Sequence, residues 1–192
     1  MTMQNSTTSV AIVGAGPTGL LLAQLLATGG ATSVTVAGRT AAKLQTARAL
    51  GADHTVSMGH VDQDNLEAVA GRLRGASPAG DGFDVVVEAT GAPGVGELSV
   101  PVTRSGGTVL IYGVAAPTDR WRIDPFDVFR REISIVGSYA EMTSFPAAIA
   151  ALRSGRVRTD GLITHRFPLA EFDRALDAVA HERTAHKVVV VP

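Results

Sequence analysis

The stretch Val10-Ala11-Ile12-Val13-Gly14-Ala15-Gly16-Pro17-Thr18-Gly19 decides the fold. Its first four residues are apolar and three are β-branched, the composition of a buried strand. Three glycines in the spacing G-x-G-x-x-G follow, and an apolar run from Leu20 continues as a helix to about residue 28. Strand, tight glycine turn and helix N-terminus together make a dinucleotide-binding fingerprint. In that fingerprint Gly14 permits the turn, Gly16 lets the backbone approach a pyrophosphate, and Gly19 lets helix and strand pack closely. Pro17 suits a first helical position, where its missing N–H costs nothing. The helix start, with Thr18 beside it, offers unpaired N–H groups and a positive dipole end to phosphates. Without the strand and helix around them, the glycines would be only a turn.

Strand and helix patterns alternate outward from this turn through about residue 155, which predicts a doubly wound α/β domain. Strands are expected near 9–13, 33–37, 54–57, 83–88, 108–112 and 133–137, in a parallel sheet of order 3-2-1-4-5-6. The intervening helices are expected near 17–28, 40–50, 62–74, 93–103 and 144–154. The first is Leu-rich on most faces and should be largely buried. Thr40 is a candidate N-cap, and Asp124-Pro125 should start a helical turn within the connection 114–131. Residues 159–192 differ in kind. A strand near 162–167, an amphipathic helix over 169–180 and a terminal strand Lys187–Pro192 make a tail outside the sheet's alternation. Phe172, Ala175, Leu176 and Val179 should form that helix's packed side. The expected division is a nucleotide domain over 1–158 and the tail over 159–192.

Composition narrows the function classes. The chain has 192 residues, 45% hydrophobic and 18% charged, with a net charge of −1. Such a chain is globular, and nothing in its charge suits a nucleic-acid partner. Cysteine is absent, which removes disulfides, thiol nucleophiles and thiolate metal ligands. No signal-peptide pattern and no apolar run of membrane-spanning length is seen, so a cytoplasmic location is expected, with no membrane partner. His54, His60, His165, His181 and His186 lack metal-ligand spacing and read as structural or solvated. No zinc is expected on this chain, and no residue is assigned a catalytic role.

The end of the second strand bears on which dinucleotide binds. An NAD site places Asp or Glu there, about 20 residues past the glycines, to hold the ribose 2′-hydroxyl. Here the sequence is Val36-Ala37-Gly38-Arg39-Thr40, without a carboxylate. Gly38 leaves room for a 2′-phosphate, Arg39 offers a guanidinium, Thr40 a hydroxyl, and Lys43 follows one turn later. This favours NADP(H), with NAD(H) possible; an ordinary solvated Arg39 is the plain alternative. FAD is the other rival, because Gly-Ala-Gly-Pro-Thr-Gly-Leu also resembles flavin monooxygenases. Those too expect an acid at the second strand's end, and Gly38-Arg39 fits them poorly.

Further stretches agree on one family: 13–21, 47–54 (Ala-Arg-Ala-Leu-Gly-Ala-Asp-His), 83–91 (Phe-Asp-Val-Val-Val-Glu-Ala-Thr-Gly) and 105–114, then 124–132, 163–169 and 187–190. In order and spacing, the chain resembles the C-terminal, cofactor-binding half of zinc-type medium-chain alcohol dehydrogenases, the polyol and sorbitol branch in particular. The resemblance implies that Gly14, Gly16, Pro17, Thr18 and Gly19 hold the pyrophosphate and that Thr90 and Gly91 line the ribose side. It puts Gly113, Val114, Ser138 and Tyr139 beside the nicotinamide, and Lys187 within reach of the pyrophosphate. It implies hydride transfer to or from a secondary alcohol, with the zinc ligands, proton relay and much of the pocket in a catalytic domain that this chain does not contain. The chain alone is then expected to bind cofactor and to turn over little. The tail folds onto that domain in relatives, so here it needs the nucleotide domain, a second copy or a separate chain. Relatives also pair their sixth strands edge to edge, which implies a homodimer. The non-enzyme alternative is a free-standing NADP(H) sensor or binding module with a well-packed tail.

Overall fold

A computed structural model describes residues 8–62, 64–139, 143–182 and 184–192. Its six-stranded parallel sheet runs β3-β2-β1-β4-β5-β6, the expected order. The strands are β1 (Ser9–Val13), β2 (Ser33–Gly38), β3 (His54–Ser57), β4 (Phe83–Glu88), β5 (Thr103–Ile111) and β6 (Ser134–Gly137). Helices α1 (Pro17–Thr28), α2 (Ala41–Ala49), α3 (Leu66–Gly75), α4 (Pro93–Val102), α5 (Pro125–Arg131) and α6 (Phe145–Arg153) connect and follow them. Every residue of β1 is buried, so the strand alternates between two cores. Val10 and Ile12 join Leu20, Val34, Val36 and Leu44 on one face. Ala11 and Val13 join Val69, Leu73, Phe83, Val86 and Leu98 on the other. A strand covered on both faces needs an apolar run rather than an alternating one, and Val10–Val13 supplies it.

The reversal of strand order between β1 and β4 fixes the site. To one side of β1 the crossovers lead to β2 and β3, to the other to β4, β5 and β6. The loops after β1 and β4 therefore diverge and leave a crevice at the strands' carboxyl ends.

Several expectations change at the element scale. α1 is buried only along Gly19, Leu20, Ala23 and Gln24, and Leu21, Leu22 and Leu26 are half-buried. Polar Gln24 belongs to the buried stripe because its amide bonds the Arg158 backbone, donating to the carbonyl at 3.1 Å and accepting from the N–H at 2.8 Å. α3 starts at Leu66 rather than 62, since Asp62 Oδ1 accepts from the amides of Asp64 and Asn65, 3.1 Å each, and holds a turn there. β5 begins at Thr103, five residues early, with a break in its pairing to β4 between Phe83 and Val85. Pro101 falls in the last turn of α4, one residue before its end. Asp124 does cap α5, accepting from Phe126 N at 2.9 Å; Thr40 occupies the cap position of α2 but makes no capping bond.

The tail is a separate two-stranded parallel sheet of β7 (Ile163–Pro168) and β8 (Lys187–Val191), joined by α7 (Phe172–His181). Its start is tied down: Leu162 is buried in the core beside α1 and α2. The packed side of α7 differs from the expected one. Ala175 and Ala178 are buried, whereas Phe172, Leu176 and Val179 are 49%, 53% and 65% exposed. The helix turns its small residues to β7 and β8 and leaves its large ones uncovered. Among the described residues, no helix is long and apolar enough to cross a membrane.

Candidate functional site

The fingerprint glycines each meet a different constraint. Gly14 has φ +133°, and a Cβ there would lie 2.9 Å from Thr90 Cγ2 and 3.0 Å from the Ala89 carbonyl. A Cβ on Gly19 would stand 1.9 Å from the Gly14 carbonyl oxygen, so α1 can reach the turn only through a glycine. Gly16 differs: nothing lies within 4 Å of its Cβ position, and its backbone is ordinary extended chain at φ −77°. The space in front of it is open, as a pyrophosphate approach requires. Pro17 opens α1, and the amides of Thr18 and Gly19 in that first turn have no intrahelical acceptor.

A cleft of about 360 Å³ opens over this turn. It brings together Gly14, Gly16, Gly38, Arg39, Lys43 and Thr90, with Thr40 beside Arg39. Gly38 carries a packing role that the sequence reading did not include. A Cβ there would meet Ala15 Cβ at 2.8 Å, so the glycine lets β2 close against the fingerprint loop. Lys43 has its ammonium pKa lowered, by burial first and by the positive charge of Arg39 second. Among the described residues, no carboxylate lines this end of the cleft. Two cations facing each other without a counter-charge make a site for an anion.

The opposite wall is organised by Glu88, which the sequence reading passed over. It is fully buried at the end of β4. Its Oε1 accepts from Thr90 N at 2.7 Å, Thr90 Oγ1 at 2.5 Å and Gly91 N at 3.0 Å. A buried carboxylate with several donors is satisfied, and it fixes the Thr90-Gly91 turn. Gly91 has φ +77°, and a Cβ there would be 2.1 Å from the Val114 carbonyl. A Cβ on Gly113 would be 2.2 Å from Gly91 N. The ends of β4 and β5 thus cross at backbone contact. The connection beyond is pinned over α4: the Trp121 indole lies on Gly96, and Glu97 accepts from Arg122 N at 2.7 Å.

The remaining expected residues stand apart from the cleft lining. Val114 and Tyr139 are 89% and 94% exposed, and Ser138 N donates to the Ile111 carbonyl at 3.0 Å beyond β6. Lys187 sits at the exposed start of β8, its amide donating to the Leu162 carbonyl. Residues given no site role in the sequence reading do enter: Met58, His60, Val61, Ala92, Gly94 and Val95 line the cleft. Met58 and Val95 are buried apolar residues, indistinguishable in sequence from other core positions.

Among the described residues, no group of three or more His, Cys, Asp or Glu could hold a metal ion. The five histidines are dispersed: His165 Nε2 pairs with Glu182 at 2.8 Å and His181 Nδ1 with Asp177 at 2.8 Å, both in the tail.

Comparison with known proteins agrees with this geometry. The family model described as zinc-binding dehydrogenase matches residues 17–154. D-arabinitol dehydrogenase 1 of Uromyces fabae is 42% identical over 182 residues, which are 94% of this chain and 50% of that protein. D-altritol 5-dehydrogenase of Agrobacterium fabrum is 36% identical over 83% of this chain and 44% of its own length. A crystal structure from Sinorhizobium meliloti 1021, assigned as a zinc-binding dehydrogenase and bound to NADP, superposes with a TM-score of 0.82 at 32% identity. The match covers 96% of this chain and 52% of that one. The chain therefore spans about half the length of the curated relatives it matches.

Proposed function

This chain belongs to the zinc-binding dehydrogenase family, and from that premise we propose that it is the NADP(H)-holding half of an alcohol or polyol dehydrogenase. The observation that carries the cofactor choice is the Arg39–Lys43 pair at the ribose end of the cleft, with no carboxylate beside it. The relative bound to NADP supports the same reading.

The residues present fit a dinucleotide. The open face of Gly16 and the amides of Thr18 and Gly19 receive the pyrophosphate. Arg39, Thr40 and Lys43 receive the 2′-phosphate. Thr90 and Gly91, held by Glu88, border the nicotinamide ribose, and Gly113, Val114, Ser138 and Tyr139 the ring. Lys187 as a pyrophosphate partner is carried by the resemblance alone. When bound, the nicotinamide supplies hydride transfer to or from a secondary alcohol. The residues present do not fit zinc: the chain has no cysteine, and no ligand cluster occurs among the described residues. No step is derived through a metal. The alcohol pocket is assigned to a catalytic domain outside these residues.

The bare face of α7 favours this half-enzyme over a self-sufficient NADP(H) sensor. The start of the tail is anchored through Gln24 and Leu162, yet Phe172, Leu176 and Val179 are left without cover. We also propose a two-fold pairing along β6, an edge strand with exposed Ile135 and Val136. A monomer by light scattering at working concentration would contradict it.

Isothermal titration with NADP+, NAD+ and FAD tests the cofactor reading. NADP+ is expected to bind most tightly. Arg39→Ala should weaken NADP+ by roughly tenfold to a hundredfold, the range for loss of charge-assisted hydrogen bonds, and leave NAD+ nearly unchanged. Equal loss for both cofactors would overturn the 2′-phosphate assignment.

A further inference from the structure

The anion end of the cleft contains a third side chain that the reading above leaves unused. His60 lines the main cleft and also a contiguous hollow of about 520 Å³ that it shares with Arg39, Thr40, Lys43 and Gly59. Arg39 follows β2, Lys43 is on α2, and His60 is in the loop after β3, so three separate elements converge on one space. That loop has a defined shape. Met58 is buried, Gly59 turns at φ +67°, and the Asn65 side-chain amide donates to the His60 carbonyl at 2.9 Å. The backbone of His60 is therefore placed, while its side chain is 76% exposed.

The charged groups that face the imidazole are few. Arg39 and Lys43 stand across the hollow, and Asp62 lies in its own loop. Asp62 is an incomplete partner: its Oδ2 is 3.9 Å from His60 Nε2, and its Oδ1 is occupied by the amides of Asp64 and Asn65. A contact of that length is no hydrogen bond, so the ring retains both nitrogens for another group. Among the described residues, no acid lines the hollow itself.

We propose that His60 is a specificity-determining residue of the 2′-phosphate site, its ring donating to that phosphate beside Arg39 and Lys43. The inference rests on the NADP(H) reading and adds a third donor to it. NAD+ has no phosphate there to receive the bond, so the contribution of His60 should fall on NADP+ alone.

The experiment is isothermal titration of the purified chain with NADP+ and with NAD+. It is run on wild type, His60→Ala and Arg39→Ala. His60→Ala should weaken NADP+ by roughly threefold to tenfold and leave NAD+ nearly unchanged. Circular dichroism should show His60→Ala folded, as an exposed loop residue implies. Unchanged NADP+ affinity in His60→Ala, with NADP+ still preferred and still sensitive to Arg39→Ala, would overturn the role of His60 alone. Equal NADP+ and NAD+ affinities in wild type, insensitive to Arg39→Ala, would overturn the underlying phosphate site and the proposal with it.

Discussion

Gly16 and Gly19 lie three residues apart and answer to opposite demands. Gly19 is required by the fold, since its Cβ would fall 1.9 Å from the Gly14 carbonyl. Gly16 is required only by a ligand, because its Cβ would meet nothing and its φ of −77° suits any residue. The two substitutions to alanine should therefore separate stability from binding. Gly19→Ala should destabilise by about 2 kcal/mol or more and lower the melting temperature by roughly 4–8 °C. Gly16→Ala should melt like wild type yet bind dinucleotide poorly, as differential scanning fluorimetry with and without NADP+ would show. Glu88 belongs to the same scale. Glu88→Gln keeps one oxygen to accept from Thr90 and Gly91, but it makes those bonds neutral and puts an NH2 at the second oxygen, which accepts from Gly91 N at 3.2 Å. A loss of about 1–3 kcal/mol in urea denaturation is expected, together with weaker cofactor binding. The glycines were legible in sequence because their spacing is local. Glu88 was not, because a carboxylate ending an apolar strand looks the same whether solvated or buried.

Between elements, the most connected polar tie lies at the other end of the sheet. Asp84 on β4 accepts from Ser9 N at 2.8 Å and Ser9 Oγ at 2.6 Å on β1, and from Arg104 Nε at 2.7 Å on β5. Burial pushes the Asp84 carboxyl upward, but the Ser9 bonds and the Arg104 guanidinium outweigh it and hold the pKa below the usual carboxylate value. A carboxyl lowered in the folded state adds stability that is full above its unfolded value, near pH ~3.9, and is lost as pH falls through the folded value. Asp84→Asn should thus be less stable than wild type at pH 7, and the gap in urea midpoint should close on acidification toward pH 3. A constant gap at both pH values would show that charge plays no part. Element order and sheet order were readable from alternating periodicity. Boundaries were less so: α3 starts late because of the Asp62 turn, and β5 starts early because it continues out of α4.

For the molecule as a whole, the informative surface is the one left bare. An amphipathic helix normally buries its large apolar residues, yet α7 buries Ala175 and Ala178 and exposes Phe172, Leu176 and Val179. A face of that kind marks an interface. Phe172→Ser with Leu176→Lys should leave the melting temperature of the isolated chain within about 2 °C, because little burial is lost. The same pair should reduce self-association in sedimentation velocity. A large drop in melting temperature would mean that the face is packed in solution. The chain spans about half the length of the relatives it matches.

The sequence by itself determined the doubly wound sheet, the glycine turn at its centre and the basic residues that follow β2. Each is written in residues within a few positions of one another, where backbone periodicity and steric need act directly. The tertiary structure alone decided that Gly91 and Gly113 cross at backbone contact and that Glu88 holds the turn between them. It also brought His60 to Arg39 and Lys43, and it turned the small face of α7 inward. Apart from the short-range Glu88 bonds, which form only because that carboxylate is buried, these contacts join residues about twenty apart or lie on opposite sides of one helix. Which of them forms depends on packing among elements, for which local sequence carries no signal.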